Sequence, residues 1–326
     1  MYDAITDVPG VLVGHAQNYD AMTGVTAILT ETGAVGGIDI RGTAAGTRQA
    51  DSLSALHIAG VVHGVTLAGG SAWGLSASGG VMKFLEEKGV GLDVFYAKVP
   101  IVPAAIIFDL GIGDAKVRPD EAMGYAAAAA AAGGPVAEGS VGAGTGATVG
   151  KLYGVAHAMK GGVGTAAESL DDIIVGALVV VNAFGDVLDA GTCRVIAGAR
   201  DPQDGRRLAH SAERIRGGED RFAPSGQNTT LAVLATNAQL DKREAIKIAQ
   251  MIQSSLARVI SPIHSTFDGD VAIVLSVGGI KRIGMNTLAM MGEQAIIRAV
   301  TNAITRADGR ALVPSYSDLH DRNDQE

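Results

Sequence analysis

Apolar positions along this chain fall into short runs separated by glycine, and their spacing alternates between the period of a strand and that of a helix. Val11 to Val13, Val25 to Leu29 and Val61 to Leu67 are β-rich runs bounded by Gly. A helix is predicted from Ser71 to Glu87, with Gly74, Ser76, Ala77, Ser78, Gly79 and Gly80 in its first half. Side chains this small weaken an isolated helix but let it lie close on a sheet. Ile101 to Leu110 reads as an inner strand interrupted by Pro103, and Pro119 opens a helix that runs through Ala126 to Ala132 and ends at Gly133-Gly134-Pro135. Ile173 to Val181 is almost continuously aliphatic, as in a strand buried on both faces, and Asn182 closes it.

Charge then replaces hydrophobicity. The span 199–228 collects Arg200, Asp201, Asp204, Arg206, Arg207, Glu213, Arg214 and Arg216, and is expected to be an exposed linker. A β-prone run begins abruptly at Thr229. Asp241-Lys242-Arg243-Glu244 has capping-box spacing, and Ala245, Ile248, Ala249, Ile252, Leu256 and Val259 form one face of the helix that follows. A strand from Val271 to Val277, a helix from Asn286 or Thr287 to about Ala307, and a polar tail at 313–326 complete the chain. The order of elements predicts an α/β chain of mixed sheets between helical layers, folded as a single domain over 1–326.

Composition narrows the function classes. The chain is 47% apolar and 18% charged, with a formal charge of -8 and a pI near 5.4, so no nucleic-acid partner is expected. Forty-five Gly and 4% aromatic residues imply backbones in close approach. Cys193 is the single cysteine, and no Cys/His set has zinc spacing. The amino-terminal residues lack a signal-peptide pattern and no apolar run reaches spanning length, so no membrane partner and a cytoplasmic location are expected. The glycine segments at 141–151 and 162–167 miss the dinucleotide fingerprint or its following helix, and no cofactor or metal is expected.

The candidate chemistry centres on Asn228-Thr229, where a loop meets a strand. If that peptide bond breaks, Thr229 gains a free α-amine beside its own hydroxyl, and one residue supplies both nucleophile and general base. An α-amine titrates near ~7.7 to 8.0, so it can take the hydroxyl proton at neutral pH. Lys151, Asn182, Asp268 and Asp270 are the polar residues that stand out beside it. Each has a plain structural reading too: Thr is a good strand former, Asn182 can start a turn, and Asp268-Gly269-Asp270 can be an ordinary turn. Ser71 fails the Gly-x-Ser-x-Gly elbow, and His264 reads as a loop residue with a structural hydrogen bond.

Taken together, Asn228-Thr229-Thr230, Ala235-Thr236-Asn237, Pro262-Ile263-His264, Asp268-Gly269-Asp270 and the early Leu67-Ala68-Gly69-Gly70-Ser71-Ala72-Trp73-Gly74-Leu75 resemble the DmpA-type N-terminal-nucleophile hydrolases over nearly the full length. That family includes L-aminopeptidase/D-esterases, β-peptidyl aminopeptidases and nylon-oligomer (6-aminohexanoate oligomer) hydrolases. Its aminopeptidases usually cut before Ser; the Asn-Thr junction, with Lys151, Asn182, Asp268 and Asp270, brings this chain nearer the nylon-oligomer branch. The resemblance implies a four-layer αββα sandwich, autocleavage into chains 1–228 and 229–326, no cofactor, and a homo-oligomer of processed pairs. It also implies roles: Thr229 as nucleophile and α-amine base, Lys151 as a positive charge beside that amine and a donor to the hydroxyl, Asn182 as oxyanion donor through its side-chain amide. Asp268 and Asp270, emerging on one face with Gly269 leaving room between them, would orient the amine and Lys151. The expected activity is hydrolysis of linear oligoamides such as 6-aminohexanoate oligomers or short peptides. The alternatives are an aminopeptidase/D-esterase and a threonine-dependent acyltransferase of the ornithine acetyltransferase kind.

Overall fold

The computed structural model describes residues 1–219, 228–280 and 283–320. Its main elements are β1 (Leu12–Asn18), β2 (Thr23–Ile40), β3 (Val62–Ala68), α1 (Ala77–Glu87), β4 (Ala104–Ile106), α2 (Glu121–Ala129), β5 (Gly162–Leu170) and β6 (Ile173–Asn182). There follow α3 (Ser211–Arg216), β7 (Thr229–Ala238), α4 (Lys242–Leu256), β8 (Val271–Ile280), α5 (Met285–Thr305) and α6 (Tyr316–His320).

Side-chain alternation along the strands builds the layers. In β6, Val175, Ala177, Val179 and Val181 face α4 and α5, while Leu178 and Val180 face the other sheet. In β7, Ala232 and Leu234 take the helix side and Leu231 and Val233 the inner side. The inner residues meet Ile28, Val65 and Leu67 of β2 and β3, whose outer faces, through Val25, Ala27 and Ala68, are covered by α1 and α2. Helix, sheet, sheet, helix is the resulting order, the αββα sandwich.

The hydrogen-bonded path runs β5-β6-β7-β8-β2-β3-β4 and ends on the short pair Thr47–Arg48. Most neighbours are antiparallel, but β7 and β8 run parallel, with α4 as their crossover, and so do β3 and β4. Strand β2 belongs to both sheets. Its first half pairs with β1 and β3 and its last residues, Val35 to Ile40, with β8. The strand runs on past Leu29 through Gly36 and Gly37: a methyl group on Gly37 would lie 2.3 Å from the backbone nitrogen of Ile246, where α4 crosses the strand, and one on Gly36 would lie 2.2 Å from Leu53 Cδ2.

Several predicted elements shift. Ser71–Ser76 is a 3-10 turn and only Ala77 onward is α-helix, because Gly74 folds against the Gly69 carbonyl. The alanine helix stops at Ala129, since Ala132 leaves it to exchange both backbone hydrogen bonds with Val13. The 101–110 run yields only three strand residues. The capping box of α4 forms as expected, with Asp241 accepting from the Glu244 N–H and Glu244 from the Asp241 N–H, both at 2.8 Å.

The described part of 199–228 is not an exposed linker. Ala199, Asp201, Ala209 and Ser211 are buried, and α3 lies within the segment. The buried Asp186 carboxylate accepts from the Ala199 N–H at 2.9 Å and from the N–H and hydroxyl of Ser211, each at 2.6 Å. Three of the charges that suggested solvent turn toward the protein, while Asp204, Arg206, Arg207, Glu213 and Arg216 stay exposed: Arg200 donates to the carbonyls of Ala156, Ala158 and Gly205, and Arg214 pairs with Asp201. Residues 220–227 lie outside the described residues. The tail is likewise anchored at first, with Val313 and Ser315 buried before α6, while 321–326 lie outside. Among the described residues no helix is long and apolar enough to cross a membrane.

The closest layer contact gives a stability test. A methyl group on Gly164 of β5 would sit 1.9 Å from the Ala299 carbonyl oxygen of α5, whereas one on Gly60 meets nothing within 4 Å. Gly164→Val should therefore cost about 2 to 3 kcal/mol in urea denaturation, and Gly60→Ala less than about 0.5 kcal/mol. Equal losses would show that this contact does not govern the packing.

Candidate active site

The junction singled out in the sequence is fully inside the molecule. Asn228 and Thr229 are each 1% exposed, so the strand-side residue and the loop-side residue are both buried, not just the former. Thr229 opens β7 and pairs with Asn182, the last residue of β6. On the other side Asn228 bridges to Asp268 in parallel. Its N–H donates to the Phe267 carbonyl at 2.9 Å, and its carbonyl accepts from the Gly269 N–H at 2.8 Å. The Thr229 hydroxyl donates to that same Asn228 carbonyl at 2.5 Å. Two donors thus converge on the carbonyl of one peptide bond.

Asn182 and Lys151 lie one strand away. The backbone of Gly150 and Lys151 hydrogen-bonds to the Gly185 and Phe184 carbonyls just beyond β6, and Gly150, with φ +71, packs where any side chain would strike the backbone of Gly198 and Ala199. That contact turns the lysine inward. Lys151 Nζ donates to the backbone oxygen of Asn182 at 3.1 Å and to its Oδ1 at 2.7 Å, rather than to the Thr229 hydroxyl. Asn182 Oδ1 also accepts from the Thr148 N–H, and Asn182 Nδ2 donates to the Phe108 carbonyl at 3.2 Å. Burial pulls the Lys151 ammonium down to about 7, against the opposing charges of Asp268 and Asp109.

The two aspartates hold different partners. Asp268 accepts from the Phe184 N–H at 3.1 Å and from the N–H and hydroxyl of Ser265 at 3.1 and 2.5 Å. Asp270 accepts from the Thr230 N–H at 2.7 Å and from the His264 N–H at 3.1 Å, with His264 Nδ1 at 2.9 Å. Burial and then the neighbouring Asp270 charge push the Asp268 carboxyl upward. Gly269 is small for another reason than spacing the carboxylates: a methyl group there would lie 2.4 Å from the Ala45 nitrogen, so the 44–45 backbone fixes its position.

Asn182 and Asp268 thus flank the Asn228-Thr229 bond through backbone pairing, Asp270 holds the Thr230 N–H, and Lys151 is joined to the group through Asn182. Sequence reasoning gave Gly269 only a spacing role, whereas its N–H bonds the Asn228 carbonyl, and it passed over Asp109, a buried carboxyl pushed up to about 6 by burial. A lone acid inside the apolar run Ile106-Ile107-Phe108-Asp109 was the available signal.

The model of peptidase family S58 matches residues 3–316. The chain belongs to this family. An uncharacterised aminopeptidase of Mycobacterium leprae is 40% identical over 346 residues, covering 96% of this chain and 93% of that protein. A 6-aminohexanoate-oligomer endohydrolase of Agromyces sp. is 33% identical, covering 81% of this chain and 72% of its own. The fold matches the L-aminopeptidase D-Ala-esterase/amidase of Ochrobactrum anthropi, a variant of the Ntn hydrolase fold, with TM-score 0.70 at 22% identity over 94% of this chain and 87% of that one. A β-aminopeptidase of Burkholderia sp. superposes with TM-score 0.69 at 23% identity over 100% and 94%. As a family S58 member, this protein is an amide-bond hydrolase, and its fold is of the Ntn hydrolase kind.

The buried lysine carries a pH signature. Folding lowers Lys151 from 10.5 to about 7, so between those values the unfolded chain binds the extra proton and stability rises with pH. The slope is up to about 1.4 kcal/mol per pH unit for each such lysine. Lys160, held near 7 by the same burial, adds its own. In a Thr229→Ala background, Lys151→Met should flatten the rise in urea-denaturation stability between pH 7 and 9 by about one such increment per pH unit. Parallel curves for the two proteins would exclude a depressed Lys151.

Proposed function

We propose that this protein is a self-processing amide hydrolase whose working nucleophile is Thr229. The observation that supports it is the Asn228 carbonyl, which takes the Gly269 N–H at 2.8 Å and the Thr229 hydroxyl at 2.5 Å. The hydroxyl oxygen attacks that carbonyl carbon and the Gly269 N–H stabilises the oxyanion. The C–N bond then breaks as the nitrogen takes the hydroxyl proton, leaving Asn228 esterified to Thr229. Water hydrolyses the ester, and Asn228 ends as a carboxylate while Thr229 keeps a free α-amine.

In the processed form the Thr229 oxygen attacks the substrate amide, its α-amine accepts the proton, and the leaving amine takes that proton as it departs. Lys151 disfavours a second positive charge on the α-amine. The second amide hydrogen of Asn182 serves as oxyanion donor, and Asp268 and Asp270 hold the 268–270 backbone and the start of β7 in place. The substrate class in this reading is a linear oligoamide such as a 6-aminohexanoate oligomer, or a short peptide. The Mycobacterium leprae relative favours a second reading, an aminopeptidase acting on peptides with a free amino end.

Intact mass and denaturing electrophoresis test the first step. Wild type should split after Asn228, Thr229→Ser should still split, and Thr229→Ala should stay whole with amide hydrolysis reduced at least about a thousandfold. A wild-type chain that stays whole while hydrolysing amides would overturn the mechanism. Parallel turnover of a 6-aminohexanoate oligomer and an amino-acid p-nitroanilide separates the two substrate readings.

A further inference from the structure

Beside Lys151 lies a small cavity of about 30 Å³, whose lining includes Phe108, Asp109, Ile112, Thr148, Lys151 and Val155. Asp109 is 4% exposed, and its carboxylate accepts one bond from the Gly70 N–H and one from the Thr23 hydroxyl, both at 2.7 Å. The chain makes room for this acid. A methyl group on Gly69 would sit 2.0 Å from Asp109 Oδ2, and one on Gly146 2.7 Å from its Cβ. Both donors are neutral, so the charge of the carboxylate is unbalanced by its own hydrogen bonds. Next to it in sequence, the Phe108 carbonyl holds the amide of Asn182.

We propose that Phe108-Asp109 is a positioning element of the active site: the Phe108 carbonyl orients Asn182, and the Asp109 carboxylate, which lines the same cavity as Lys151, balances the Lys151 ammonium. The charged groups around Lys151 are Asp268 from the loop before β8, Asp109 from the loop after β4, and Lys160; Asp270 faces Asp268. Lys160 Nζ is committed to the carbonyls of Gly144, Ala147 and Gly161, at 2.8 to 2.9 Å. Asp268 is itself held by Phe184 and Ser265. Asp109 is therefore one of two carboxylates that oppose the effect of burial on Lys151, and removing its charge lets Lys151 lose its proton at lower pH.

This inference rests on Lys151 belonging to the site, and one experiment separates the two. The full chain is made by cell-free synthesis with an isotopic label and its splitting into 1–228 and 229–326 is followed from pH 5.5 to 9. The wild-type rate should change through an inflection near 7, the value to which burial brings Lys151. Lys151→Met should split without that inflection. Asp109→Asn and the smaller Asp109→Ser should move the inflection down by about one pH unit, and Asp109→Glu should restore it. Unmoved inflections in folded neutral variants would overturn the proposal alone, as would failure of both to fold, which would make Asp109 a folding element. A wild type that does not split, or a Lys151→Met protein that splits like it, would remove the reading of the site as well.

Discussion

The structure depends on the double pairing of β7. Thr229 is the first residue of a strand that runs antiparallel to β6 on one side and parallel to β8 on the other. Those registers put Asn182 directly across from Thr229, and the bridge to Asp268 puts the 268–270 backbone across from Asn228. The ladders that hold the sheet together bring Asn182 and Asp268 to the junction, and the loop before β8 and the turn at Gly150-Lys151 supply the rest.

A sheet interior is a costly place for charge, and this one accepts a lysine and several carboxylates. Each is held by named donors or acceptors: Lys151 by both oxygens of Asn182, Asp268 by Phe184 and Ser265, Asp270 by Thr230 and His264. The effect of burial on Lys151 opposes the effect of the carboxylates. A lysine that leaves the water would otherwise give up its proton, and the acids facing it limit that loss. Glycine makes this possible at short range. Gly150 lets the chain turn Lys151 inward, and Gly69 and Gly146 leave space for Asp109.

Local signals in the sequence led to correct local structure. The capping box of α4, the doubly buried β6 and the extent of α5 were all legible because each follows from neighbouring residues alone: a side chain reaching a backbone N–H, or a run with no polar face. Elements that depend on distant partners were misjudged. Strand β2 continues through Gly36-Gly37 because Leu53 and α4 pack there, Arg200 turns inward because carbonyls from other segments receive it, and Ala132 leaves its helix to pair with Val13.

By itself, the sequence determined which residue types were available and where each strand and helix would nucleate, since these are matters of propensity, period and capping. It also placed a hydroxyl at the first position of a β-prone run. Only the tertiary structure decided that Gly269 would present its N–H to the Asn228 carbonyl and that Asp109 would line one cavity with Lys151. Both are contacts between residues more than forty positions apart, and strand register and close glycine packing fix such distances, which no local pattern encodes.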